Sequence, residues 1–83
     1  MEILYSDSAR KDLENLPKEI QKRIANKMRF FAGQNDPLKF AKRLTDHYLG
    51  QHRFRIGDYR VVFDVIDSRI FVLKIAKRDE VYE

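Results

Sequence analysis

Eighty-three residues with no cysteine make one small domain, expected to bury about 60% of the surface its unfolded chain exposes. The composition excludes both a disulfide framework and thiolate metal ligation. Seventeen Lys and Arg against 13 Asp and Glu leave a net charge of +4 and a sequence pI near 9.5. Lys39, Lys42, Arg43, Arg53, Arg55 and Arg60 face only Asp46 and Asp58 between residues 39 and 60, so the whole excess can be placed there. That concentration points to a polyanion, with nucleic acid first. The early acid Glu2 fits no signal peptide and no segment approaches the length of a membrane span, so a cytoplasmic protein without a membrane partner is expected.

Glu2 to Tyr5 reads as an opening strand, after which Ser6 or Asp7 caps a helix carrying Ala9, Leu13 and Leu16 at helical spacing. Pro17 ends that helix and starts a second, whose stripe of Ile20, Ile24, Met28 and Phe31 runs to Gly33. The two helices form a hairpin, and Lys18, Lys22, Arg23, Lys27 and Arg29 fall on its solvated side. Residues 34–37 have loop composition, 38–44 a short helical turn, and 45–50 a linker. Strands over 52–56, 59–65 and 70–76 close the chain, the last two joined around Asp67-Ser68. The order β-α-α-β-β-β implies an α+β domain over 1–83, an antiparallel sheet packed on the helical hairpin.

The segment Arg53-Phe54-Arg55-Ile56-Gly57-Asp58-Tyr59-Arg60-Val61-Val62-Phe63 reads as a tight hairpin with Gly57-Asp58 as its two-residue loop. Alternation then puts Phe54, Ile56, Tyr59, Val61 and Phe63 on one face and Arg53, Arg55 and Arg60 on the other. Like charges directly opposite each other destabilise a sheet by up to about 1 kcal/mol per pair. Stability gives no reason to set Arg55 against Arg60, and an absent anion does. In the last strand, Phe71, Leu73 and Ile75 are read as facing the helices, which sends Lys74 to the arginine face. Arg78 and Tyr82, in the polar tail, are within reach of the same patch.

The element order, this hairpin and the tail Lys77-Arg78-Asp79-Glu80-Val81-Tyr82 together resemble the RelE/ParE toxin superfamily, over nearly the whole chain. The tail points within it to the RelE branch, whose members enter the ribosomal A site and cut mRNA there. ParE-like relatives poison DNA gyrase and generally lack such a tail. The resemblance matches Arg53 and Arg55 to basic positions before the turn, Arg60 to the arginine after the tyrosine, Arg78 to the arginine after the last strand, and Tyr82 to the tyrosine on which a codon base stacks. Departures are arginines where better-known members carry lysines, His52 where a tyrosine or tryptophan is common, and a tail without a further helix.

What the resemblance implies is metal-independent RNA cleavage without a cofactor, by attack of a 2′-hydroxyl on the neighbouring phosphate. Arg55 and Arg60 would meet the charge developing on the phosphoryl oxygens, a role in which one preorganised donor is worth about 3 to 4 kcal/mol. Arg78 would share that charge or assist the leaving oxygen. Arg53 would position the RNA backbone, with Lys74 and Lys77 as further RNA contacts. Tyr82 would hold an unstacked base, a contact worth about 1 to 3 kcal/mol. The general base stays open: arginine is a poor proton acceptor, His52 falls on the packed side of its strand, His47 sits in the linker, and the alternatives are Lys74, Lys77, Tyr82, or a reaction that relies on geometry and charge stabilisation in a pose imposed by the ribosome. The implied partners are an antitoxin, the ribosome with its mRNA, and operator DNA bound by a higher-order toxin–antitoxin complex. The competing readings are a gyrase poison and an inactive relative serving as an antitoxin-bound repressor.

Overall fold

The computed structural model describes residues 1–45 and 49–78. Its sheet has five strands in the order β1-β5-β4-β3-β2: β1 Glu2–Tyr5, β2 Lys42–Arg43, β3 His52–Ile56, β4 Tyr59–Ile66 and β5 Arg69–Lys77. Helices α1 (Asp7–Glu14) and α2 (Lys18–Ala32) pack on one face. The expected α+β order is present, with two refinements. β1 joins the edge of β5 in parallel, Glu2 opposite Arg69 through Tyr5 opposite Val72, while all other pairings are antiparallel. The stretch 38–44 is not one helical turn but a 3-10 turn, Pro37–Phe40, followed by the two-residue β2.

Local chemistry sets the helix ends. Ser6 accepts a hydrogen bond at Oγ from the Ala9 N–H at 3.0 Å, a cap worth about 1 kcal/mol, while its own N–H donates to the Val72 carbonyl at 2.9 Å. One residue thus ends the parallel ladder and starts α1. Gln21 turns the corner between helices, its Nε2 donating to the Leu16 carbonyl at 2.8 Å. The α2 stripe of Ile24, Met28 and Phe31 is buried against stacked rings, Phe31 on Phe54 at 4.3 Å and Phe54 on Phe63 at 4.4 Å between centroids. Val61, Ile70, Val72 and Ile75 complete this core.

The last strand corrects the sequence reading. Val62 pairs with Lys74 and Phe63 with Val72, so Leu73 is an extra residue in a β-bulge. Such an insertion shifts the side-chain alternation by one. Ile70, Val72 and Ile75 therefore face the helices, whereas Phe71, opposite Asp64, lies on the other side. Of Phe71, Leu73 and Ile75, only Ile75 stands where alternation put it. Lys74 still reaches the arginine face, opposite Val62, because the bulge restores its parity.

Both hairpin loops use left-handed backbone. Gly57 has φ 59°, and a positive φ at the first loop position alone matches a type II′ turn, which favours glycine there. Asp67 and Ser68 both have positive φ, 52° and 60°, the type I′ pattern held by residues with a Cβ.

Candidate nucleic-acid interface

The arginine face follows from the register of the central strands. Ile56 pairs with Tyr59 and Arg55 with Arg60. A two-residue loop makes the first of these the hydrogen-bonded pair, so Arg55 and Arg60 form the closer kind, with Cα atoms about 4.5 Å apart. One step along, Lys42 lies opposite Arg53, Arg53 opposite Val62, and Val62 opposite Lys74. Five cations from four strands thereby share one side of the sheet. Arg55 and Lys74 are exposed, while Arg53 and Arg60 are half-buried.

Apolar residues sit at the centre of this charge. Leu44, Val62 and Ala76 are 2%, 0% and 6% exposed and pack with Leu49 into a second, small core. Leu44 from one side and Leu49 to Gln51 from the other come together over the arginine face to form it, and three hydrogen bonds hold them. Leu44 N–H donates to the Gln51 carbonyl at 2.9 Å, Gln51 N–H to Asp64 Oδ1 at 2.8 Å, and Val65 N–H to Gln51 Oε1 at 3.0 Å. Gly50 lies close against the sheet. It is buried at φ +143°, and a Cβ there would lie 2.6 Å from Val62 Cγ1. Only glycine fits. Sequence reading missed Leu44, Leu49, Gly50, Gln51 and Asp64 as builders of the site, although the unbroken run Val61-Val62-Phe63 signals a strand covered on both faces.

The other expected site residues divide. Arg78 is drawn to the hairpin end, its backbone N–H donating to the Asp58 carbonyl at 2.8 Å, and its side chain is exposed. Lys77 is opposite Tyr59, which packs on the main core, so it falls on the helix side rather than beside Arg60. His52 also faces the helices, stacked 5.5 Å from the Phe63 ring. Burial pushes its pKa down, Arg43 pushes it further down, and Asp64 opposes them. His52 is therefore a packed neutral residue, not a member of the charged face. Tyr82 and His47 lie outside the described residues.

A row of guanidinium and ammonium groups around a small dry centre can hold one or two phosphates, with arginines donating paired hydrogen bonds to the oxygens. Among the described residues, no cluster of His, Cys, Asp or Glu could hold a metal ion, and no helix is long and apolar enough to cross a membrane.

Known proteins resemble this chain in sequence and fold. The sequence profile of the family described as the ParE toxin of the type II toxin–antitoxin system, parDE, matches residues 3–82. The chain is 35% identical over 84 residues to Toxin RelE of Mycobacterium tuberculosis, an alignment spanning 96% of this chain and 84% of that protein. It is 27% identical over 85 residues to Toxin RelE3 of Methanocaldococcus jannaschii, spanning 100% of this chain and 97% of that one. Its fold matches a chain in the crystal structure of the toxin–antitoxin complex RelBE2 from Mycobacterium tuberculosis with a TM-score of 0.75 at 25% identity, over 93% of this chain and 96% of that chain.

Proposed function

From the premise that the chain belongs to the RelE/ParE superfamily of type II toxin–antitoxin toxins, we propose that it is a ribosome-dependent endoribonuclease that cuts mRNA in the A site and so stops translation. The observation that carries this reading is the row of Arg53, Arg55, Arg60 and Lys74 on one face of the sheet, whose donors suit phosphate oxygens. In the reaction, the 2′-hydroxyl oxygen attacks the adjacent phosphorus, the bond to the 5′-oxygen of the next nucleotide breaks, and a cyclic phosphate and a 5′-hydroxyl result. The nucleophile loses one proton and the leaving oxygen gains one. Arg55 and Arg60 meet the charge on the phosphoryl oxygens, each such donor being worth about 3 to 4 kcal/mol. Arg78 stands at the hairpin end to serve the leaving oxygen, Arg53 holds the RNA backbone, and Tyr82 stacks on a base. Lys74, on the same face as the arginines, is better placed than Lys77 to contact RNA.

The reading extends to partners. RelBE2 is a toxin–antitoxin complex, and this chain is proposed to be held in the cytoplasm by an antitoxin of its own, in assemblies that bind operator DNA. The matching family description, a ParE toxin, favours one second reading, a gyrase poison without nuclease activity. Primer extension on an mRNA threaded through purified ribosomes, beside the same mRNA free in solution, separates them. Cuts on ribosomes alone support the nuclease. Intact mRNA in both samples, with DNA breaks appearing when gyrase is added, overturns it in favour of the poison.

A further inference from the structure

Helix α1 carries one side chain that its own packing does not call for. Ala9, Leu13 and Leu16 form its packed stripe, and Asp12, three places after Ala9 and four before Leu16, falls on the same side. It is half-buried, and among the described residues no cation pairs with it. An apolar residue at this place would extend the stripe. The carboxylate serves β5 instead, where its Oδ2 accepts the Ile75 N–H at 3.0 Å.

That bond falls where β5 has lost its neighbour. β1 covers the strand only from Arg69 to Val72, and beyond Val72 the edge turns to the start of α1 and its cap. Ser6 Oγ donates to the Leu73 carbonyl at 3.4 Å, and Asp12 takes the N–H two residues on. These two bonds bracket Lys74, which stands exposed on the opposite face, across from Val62. The bulge that sends Lys74 to that face also interrupts the ladder to β4 between Val62 and Phe63, so β4 holds this stretch of backbone less firmly than a regular strand would. The α1 side supplies the missing restraint, and Asp12 gives the shorter of its two bonds.

We propose that Asp12 is a positioning residue of the phosphate site: by accepting the Ile75 N–H it fixes the bulged backbone on which Lys74 stands, and so the place of the Lys74 ammonium beside the arginines. Asp12 touches no RNA itself. Its effect passes through Lys74, whose role as an RNA contact rests on the nuclease reading above.

The test pairs Asp12→Leu, which suits the α1 stripe and removes the acceptor, with Asp12→Asn, which keeps one. Circular dichroism checks both folds, and Asp12→Ala repeats the test should the leucine variant not fold. In Asp12→Leu, hydrogen exchange at the Ile75 amide is expected to rise about tenfold or more, with the Ile70 and Val72 amides, in the half of β5 that β1 covers, unchanged. The kcat/KM for cleavage of mRNA on programmed ribosomes is expected to fall about tenfold, the scale of one hydrogen bond to a charged group, while Asp12→Asn stays within about threefold of the wild type. Added to Lys74→Ala, Asp12→Leu is expected to cost no more than about twofold further, since nothing is left for it to position. Full additivity of the two would make Asp12 a residue of the fold at large and overturns the proposal. Wild-type cleavage by Asp12→Leu, or unchanged exchange at its Ile75 amide, overturns the positioning role and leaves the nuclease reading standing. No cleavage by the wild-type chain overturns the nuclease reading itself.

Discussion

The two faces of the central sheet are built from the same strands and obey opposite rules. On the helix side, Phe54, Phe63, Val61, Val72 and Ile75 meet Phe31, Met28 and Ile24 in a core that holds no buried polar or charged side chain among the described residues. On the other side, Arg53, Arg55, Arg60 and Lys74 surround a small apolar centre made by Val62, Ala76 and Leu44. The first face supplies folding energy through apolar burial. The second sets Arg55 opposite Arg60 across β3 and β4, where charged side chains rather than apolar ones fill the surface. Neighbouring residues on one strand should therefore respond to mutation in opposite ways.

The largest expected effect is on the helix side. Phe54→Ala removes the ring between Phe31 and Phe63 and should cost about 3 to 5 kcal/mol, enough to leave much of an 83-residue chain unfolded. Urea unfolding monitored by circular dichroism reads this directly, and a loss under 1 kcal/mol would mean that Phe54 is not part of the core. Arg60→Ala, next but one to the turn on the same hairpin, should do the reverse. Cleavage on ribosomes should fall about 100- to 1,000-fold, while stability changes by less than about 1 kcal/mol. A variant that lost both activity and stability would show that Arg60 serves the fold.

Gly50 ties the two faces together. Gly50→Ala forces a Cβ toward Val62 at a φ of +143°, and strain of that kind costs about 1 to 3 kcal/mol. The damage should be confined to the arginine face. Hydrogen exchange should speed up at the Gln51 and Val65 amides, whose bonds hold this packing, while the Phe54 and Phe63 amides stay protected. Uniform deprotection of the sheet would show instead that the small core and the large one unfold as one unit.

The contrast between faces also explains how much could be read in the sequence. The helix stripe, the Ser6 cap, the Gly57-Asp58 loop and the Arg55–Arg60 opposition are local patterns, each fixed within a few residues by spacing or turn chemistry. All were legible. The bulge at Leu73 was not, because an uninterrupted apolar run carries no alternation to reveal an extra residue. Nor was the packing of Leu44, Leu49 and Gln51 on this face: their partners, Val62, Asp64 and Val65, are distant in sequence, and a segment containing Thr45 and Gly50 reads as plain linker. The charged half of the site could be predicted from the hairpin, while the apolar half, which positions it, depends on tertiary contacts.

His52 gives the smallest effect and separates the faces by pH. Its ring packs on Phe63, and burial, then Arg43, lower its pKa despite Asp64. Above the ordinary histidine value of about 6.5, folded and unfolded chains both hold it neutral and it adds no pH dependence. As pH falls through that value the unfolded chain takes up a proton that the folded chain does not, so stability declines until the lower folded pKa is reached. His52→Phe keeps a ring on Phe63 without a titrating group. Urea midpoints measured at about pH 7.5 and about pH 5.5 should differ less in this variant than in the wild type. Equal differences would place the histidine in water rather than against the ring. Arginine stays charged across this range, so phosphate affinity of the arginine face should not follow the His52 titration. If it did, His52 would be coupled to the site it faces away from, and the separation of the two faces would fail.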